Sequence, residues 1–416
     1  MKKLFKTLLC LCMTAVLLTA AVAPAAYAFN DDPMNGKIQN QAAYKFTTPD
    51  DASEYFHDSR FDTGYTIEKV IDVSRHNGNI DWSKVATSGI KYAIIRVGYR
   101  GYGDEGSINI DSNFTSNIRG AVNAGLKVGV YFYTQAVNEK EAREEADFVL
   151  ENIIGYDLAL PVVFDCEFAS DSSGYTGRFY NANLSKSQTS ALCKAFCDRV
   201  SAAGYDAMVY ANPYMFSNHI DASKLGGYDV WLANYTTKTT YAGDYIMWQF
   251  SSKETVDGIS GNVDMSFYYI KDGVTPSYLR LHASKLTVET GGTTKVAAFF
   301  DSQTFTSLGC TVGNIEYNIS STEIASINSD GTVNCFAEGN LKITASVLIT
   351  FPDINNTGSP QTTSLNKSVD ITITPKGASQ DDSDNGSDIL TMLLNIFKAL
   401  ADMFVKLISA LAAAGT

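Results

Sequence analysis

Histidine, cysteine and proline are scarce in this chain of 416 residues, and the first two scarcities each remove a class of explanation. Four scattered histidines do not make a His-based zinc site. Of seven cysteines, Cys10 and Cys12 fall in an N-terminal apolar run. That leaves Cys166, Cys193, Cys197, Cys310 and Cys335, an odd number that implies no disulfide framework. Cys193 and Cys197 stand four apart in a helical pattern, as buried fillers would, while Cys310 and Cys335 remain open to a bridge within one small domain. Basic charge is also short, 32 Lys and Arg against 45 Asp and Glu for a net charge of −13. An acidic chain without a basic stretch cannot make the counterion-releasing contacts of nucleic-acid binding, which excludes that function and leaves neutral glycans as partners. With nine prolines and 45% hydrophobic residues, there is material for a large core and a second domain.

Lys2, Lys3 and Lys6 precede an apolar run from Leu8 to Ala23 and then Ala26-Tyr27-Ala28, the three parts of a secretory signal peptide over 1–28. Its removal takes the net charge from −13 to −16 and predicts a secreted protein, extracellular or associated with a cell wall. Residues 29–66 read as a polar leader that drapes over the next domain or stays mobile. From there, apolar runs alternate with helical patterns. Strands are expected at Thr66–Val73, Tyr92–Val97, Lys127–Tyr133, Leu160–Phe164, Asp206–Ala211, Asp229–Ala233, Tyr245–Gln249 and around Val263. Helices are expected at Ser112–Asn123, Glu139–Asn152 and Lys186–Ala203, the last with Ser185 as N-cap and Gly204 as stop. Eight strands alternating with helices predict a parallel, irregular (β/α) barrel of the TIM type over 67–274, with its site at the C-terminal strand ends.

The pattern then changes to short alternating strands, predicting an all-β sandwich over 278–375. Residues 376–388 form an acidic linker, in which Asp381-Asp382-Ser383-Asp384 only partly mimics a calcium loop because Met392 stands where a bidentate Glu is needed. The last segment, 389–416, reads as an amphipathic helix with a polar stripe at Asn395, Lys398, Asp402, Lys406 and Ser409. Such a helix predicts self-association or contact with a membrane surface.

The chemistry concentrates in four carboxylates. Leu160-Pro161-Val162-Val163-Phe164 runs into Asp165-Cys166-Glu167, and strand alternation puts both acids on one face, roughly 6.5 Å apart along the backbone. Asp72 follows Val70-Ile71, and Asp264 follows Asn262-Val263. One Asp after a strand is ordinarily a turn or cap residue. Four acids converging on one rim repel each other, which favours a catalytic reading. Glycosidic cleavage needs such a set, one protonated acid and a second carboxylate. Tyr131, Tyr133, Tyr210, Trp231 and Trp248 are either sugar-binding residues or barrel core, with Tyr133 and Trp231 favoured for sugar by their place at strand ends. Arg96 is expected inside the barrel, paired with an acid.

In order along the chain, Asp72-Val73-Ser74-Arg75-His76-Asn77-Gly78, Ile80-Asp81-Trp82, Gly129-Val130-Tyr131-Phe132-Tyr133, Asp165-Cys166-Glu167, Trp231-Leu232-Ala233-Asn234-Tyr235, Trp248-Gln249-Phe250 and Gly258 to Asp264 resemble glycoside hydrolase family 25. The resemblance spans roughly 67–270. It implies a modified barrel that cleaves the β-1,4 bond between N-acetylmuramic acid and N-acetylglucosamine of peptidoglycan, without cofactor or metal. Glu167 would be the general acid/base, Asp165 the support of an intermediate, and Asp72 and Asp264 the remainder of an acidic floor. Phe132 departs from the His common in the family and puts fine substrate contacts in question. Further on, Lys285 to Thr293, Ser321 to Val333 and Gly339 to Ala345 resemble the group 2 bacterial immunoglobulin-like domain, a spacer or wall-binding unit. The alternative is a wall-binding or adhesive protein built on an inactive barrel.

Overall fold

The structure, a computed structural model, describes residues 54–377 apart from 172–173, 275–276 and 353–359, together with the short strand Tyr44–Lys45. The expected signal peptide, the linker from 378 onward and the C-terminal helix lie outside the described residues.

Eight strands close a ring: β1 Tyr65–Val73, β2 Tyr92–Arg100, β3 Lys127–Tyr133, β4 Val162–Asp165, β5 Ala207–Ala211, β6 Asp229–Ala233, β7 Met247–Glu254 and β8 Val263–Lys271. The first seven are parallel, and β8 is antiparallel to both β7 and β1. The expected parallel closure is therefore corrected, and the fold is not a true TIM barrel. The reason is chain length: only residues 255–262 join β7 to β8, and a parallel crossover needs a dozen or more residues.

Helices occupy the earlier connections. They are α1 Trp82–Thr87, α2 Phe114–Asn123, α3 Glu139–Ile153, α4 Gly177–Asn181, α5 Lys186–Ala202 and α6 Pro213–Asn218. Each of the two long helices starts where a side chain satisfies free amides: Asn138 accepts from Glu141 N, and Ser185 with Gln188 closes a capping box. Among the described residues, no helix intervenes between β6 and β7 or between β7 and β8.

Alternation along each strand sorts side chains into two layers. Ile71, Val73, Ile95, Phe132, Phe164 and Trp248 face outward and pack under the helices. Val70, Ile94, Val163, Met208, Trp231 and Met247 face inward and fill the barrel axis. Before β1, part of the expected leader is fixed: Phe61 is buried and stacks on Tyr269 at 3.8 Å, and Tyr245 donates to Asp58 at 2.7 Å.

The second unit is a sandwich of two four-stranded sheets. One holds β9 Leu279–Ala283, β11 Thr293–Phe300, β14 Thr332–Cys335 and β13 Ala325–Ile327. The other holds β10 Thr287–Glu289, β16 Thr362–Thr374, β15 Gly339–Thr350 and β12 Thr311–Ile319. Cys310 and Cys335 are buried in different clusters, and the bridge left open by the sequence does not join them.

The sandwich docks on the loops that precede β4 and β5, the end of the barrel opposite its C-terminal rim. Ala283 N donates to Ala203 O, Arg280 grips Asp157 with 2.7 and 2.8 Å bonds, and Lys285 meets Glu151 at 3.1 Å. Tyr205 and His282 stack at 3.8 Å. Gly204 is needed twice here: its φ is +93°, and a Cβ would stand 2.1 Å from Leu281 O.

Candidate active site

Asp72 lies near the C-terminal end of β1, Asp165 ends β4, Glu167 follows two residues on, and Asp264 is the second residue of β8. Because β8 runs backwards, its beginning reaches the rim where the parallel strands end. Asp264 and Asp72 are direct partners in register. Tyr133 and Tyr210 flank Asp165 from either neighbouring strand. The structure thus brings the four sequence-predicted acids together.

Asp72 and Asp165 are buried, and Glu167 and Asp264 half-buried. Burial lifts all four carboxyls, since removing water penalises the charged form, and mutual repulsion adds to it. Asp72 is pushed well above the usual carboxylate range by burial and then by Asp264 and Glu167, against the pull of a Gln249 hydrogen bond. Asp165 is pushed up by burial, Glu167, Asp72 and Asp264, opposed by Arg96. Burial and then Asp264 raise Glu167 to about 7, and burial raises Asp264 to about 6. The Asp165 Oδ1 atom is buried and accepts no hydrogen bond. Arg96 does face inward, but Asp111 engages it, with Nε and Nη2 both 2.7 Å from Oδ2.

Hydroxyls surround the acids. Tyr131, Tyr133 and Tyr210 are raised well above the ordinary phenol range by burial and by these carboxylates, so they remain protonated donors. Gln249 is the hub that sequence reasoning missed as a site residue. Its Nε2 donates to Asp72 Oδ2 at 2.7 Å, while its Oε1 accepts from Tyr210 at 2.7 Å and Tyr235 at 2.9 Å. The signal was available: alternation puts Gln249 on the inner face whenever Trp248 points out.

Trp248 does point out, and that corrects its place among the sugar-binding residues. It is fully buried in the outer layer, and its indole donates to Asn234 O at 2.8 Å. Trp231 faces inward but is 2% exposed, sealed edge-on by Tyr210 at 4.7 Å and bonded to Ser266, so it is floor rather than wall. Phe132 faces the shell and meets Phe148 at 6.0 Å, so its departure from the family pattern concerns outer packing and not substrate contacts. Among the described residues, no three His, Cys, Asp or Glu side chains are arranged to hold a metal ion.

Two parts of this chain are similar to known families. Residues 71–259 match the family described as Glycosyl hydrolases family 25, and residues 278–353 match Bacterial Ig-like domain (group 2). An autolytic lysozyme of Clostridium acetobutylicum is 29% identical over 47% of this chain and 54% of its own length. Lysozyme M1 of Streptomyces globisporus is 27% identical over 47% of this chain and 65% of its own. The chain therefore spans little more than half to two thirds of the curated relatives it matches. Among solved structures, the modular autolysin LytC of Streptococcus pneumoniae in complex with a synthetic peptidoglycan ligand is 28% identical, covering 53% of this chain and 51% of its own, with a TM-score of 0.44. With its ring of eight strands, the acids on one rim and the sandwich behind, the chain carries a domain of glycosyl hydrolases family 25 followed by a group 2 bacterial Ig-like domain.

Proposed function

We propose that this chain is a secreted peptidoglycan hydrolase that cleaves the β-1,4 bond between N-acetylmuramic acid and N-acetylglucosamine, with Glu167 as general acid/base. The observation that carries the reading is the Glu167 carboxyl at about 7, among three further acids on an open rim. A carboxylic acid that keeps its proton near neutrality can deliver it to a leaving oxygen.

In this reading Glu167 protonates the glycosidic oxygen as the C1–O bond breaks. Positive charge then grows on the ring carbon, where a carboxylate stabilises it most. Asp165 orients or supports an intermediate in which the substrate's own acetamido oxygen attacks C1. Water then opens that intermediate and passes a proton back to Glu167. Asp264 helps burial hold the acid's proton, Asp72 completes the acidic floor, and Tyr131, Tyr133 and Tyr210 offer hydroxyls to the sugar.

Digestion of purified peptidoglycan with product analysis tests the reading. New reducing ends on muramic acid are expected. Reducing ends on glucosamine would make it a glucosaminidase, and new amine or acid groups without sugar ends would make it an amidase or peptidase. Tight binding to the wall without any product would favour the adhesive alternative. Self-association or envelope attachment through 389–416 belongs to the same reading: truncation after Pro375 should leave turnover on soluble glycan unchanged while releasing a free monomer, measured by light scattering and vesicle flotation.

A further inference from the structure

Large apolar side chains are expensive to leave in water, so where they are exposed together a partner is implied. Among the described residues five tyrosines are exposed: Tyr102, Tyr175, Tyr180, Tyr214 and Tyr235, at 42–58%. Their positions are not scattered. Tyr102 follows β2, Tyr175 and Tyr180 follow β4, Tyr214 follows β5 and Tyr235 follows β6, so all five stand beyond the C-terminal ends of parallel strands, on the side of the acids. Among the described residues the barrel's opposite end and the sandwich expose no tyrosine, and the sandwich exposes only Phe336 and Leu348 among its large apolar side chains.

Three of them form one body with the catalytic strand. Phe168, next to Glu167, is the hub: Tyr175, Tyr180 and His219 surround it with ring centroids 5.5, 5.2 and 4.8 Å away. Tyr175 in turn lies 5.7 Å from Tyr180 and 6.0 Å from Tyr214, nearly parallel to the latter at 25°. Phe168 holds Tyr175 and Tyr180, and Tyr175 and His219 hold Tyr214, while nearly half of each tyrosine remains open to water. A rigid group of open rings with hydroxyl tips matches the flat apolar faces and equatorial hydroxyls of pyranoses. The acidic peptides that hang from muramic acid would call for a cation. The cluster's one basic member, His219, is kept toward its neutral form by burial.

We propose that Tyr175, Tyr180 and Tyr214 form a second carbohydrate subsite, which holds the glycan strand beyond the scissile disaccharide and so makes the enzyme prefer long chains. The inference rests on the glycan-cleaving reading above and deepens it.

The test is chain-length dependence in the Tyr175→Ala, Tyr214→Ala double variant, using peptide-free glycan chains of defined length. We expect kcat/KM on chains of eight or more sugars to fall about tenfold or more, with a much smaller loss on a tetrasaccharide. Equal losses at both lengths would overturn the subsite, as would no loss at either. A loss confined to peptide-bearing chains would also overturn it, in favour of stem-peptide recognition. Thermal melting of the variant checks that the barrel still folds, and Tyr175→Phe, which keeps the ring, should retain most of the preference. Binding of the same chains to Glu167→Gln protein, with and without the two alanines, reads the subsite without turnover. An affinity that falls about tenfold there supports the subsite even if wild-type protein proves to cut a different bond.

Discussion

The barrel and the sandwich both close on apolar cores, but among the described residues only the barrel buries carboxylates. Asp72, Asp111, Glu145, Asp165 and Glu254 are buried in it, whereas the sandwich's buried polar side chains are His282, Ser284 and Thr294. The sandwich follows the ordinary rule for a folded core, and the barrel breaks it repeatedly. The barrel's acids then divide again. Asp111 is held by Arg96, Glu145 by Arg100 at 2.7 Å, and Glu254 lies beside Lys69. The four acids on the rim have each other. Burial lifts Glu145 to about 7 just as it lifts Glu167, so a raised pKa alone does not mark a site. A buried acid bonded to a cation is part of the frame, and a cluster of acids with no cation bonded to any of them is poised for chemistry.

Substitutions can break this division. The largest effect is expected at Glu167: replacement by Gln should lower turnover on peptidoglycan by about 1,000-fold or more, because a general acid acts in the transition state. Glycan affinity should survive, and Asp165→Asn should be nearly as severe. Reducing-end release and a binding isotherm check both. If Glu167→Gln kept substantial activity, the acid would have to be Asp264 or Asp72.

Next comes the frame. Arg100→Leu strands Glu145 without its cation and should cost about 3–5 kcal/mol of stability, measured by urea unfolding. Adding Glu145→Leu should recover most of that loss. Full stability in the single variant would sink the distinction between paired and unpaired acids.

Gln249→Met keeps volume but removes the bond to Asp72. We expect kcat to fall about tenfold with little change in KM. Without that bond Asp72 holds its proton more tightly, so the acidic limb of the pH profile should also move to higher pH. A packing role alone would change stability and leave the profile where it was.

The smallest effect concerns pH. Glu167 titrates at about 7 when folded and near 4.5 when free, so across that window the folded chain keeps a proton that the unfolded chain has lost. This term therefore favours folding at low pH and is lost as pH rises through about 7. Glu167→Gln should accordingly be more stable than wild type at pH 8, by about 1–2 kcal/mol, and thermal melts at pH 5 and pH 8 will show whether the gap opens. The same titration predicts that kcat/KM declines above about pH 7.

Much of this was legible in the residues themselves. β3 and β6 begin and end where alternation and apolar runs place them, and the Ser185 cap and the Asp165–Glu167 pair followed from local pattern alone. What escaped was non-local. The direction of β8 depends on how far eight residues can carry the chain, and no strand pattern encodes direction. Gln249 looks like any polar residue in a strand until Asp72, Tyr210 and Tyr235 arrive from three other segments. In the sandwich β16, at 13 residues, carries a weak strand signal, because only Val369, Ile371 and Ile373 of it are clearly buried and its first half reads as polar loop.

The joint built on Gly204 has one more consequence. It fastens the sandwich to the loops that feed β4 and β5, so among the described residues the sandwich sits at the barrel's base and the acids at the opposite rim. A polymer strand locked into a mesh cannot be drawn into an enclosed pocket or threaded past an obstacle. In the proposed hydrolase the strand needs only to lie across the acid-bearing rim, with the sandwich behind the cut.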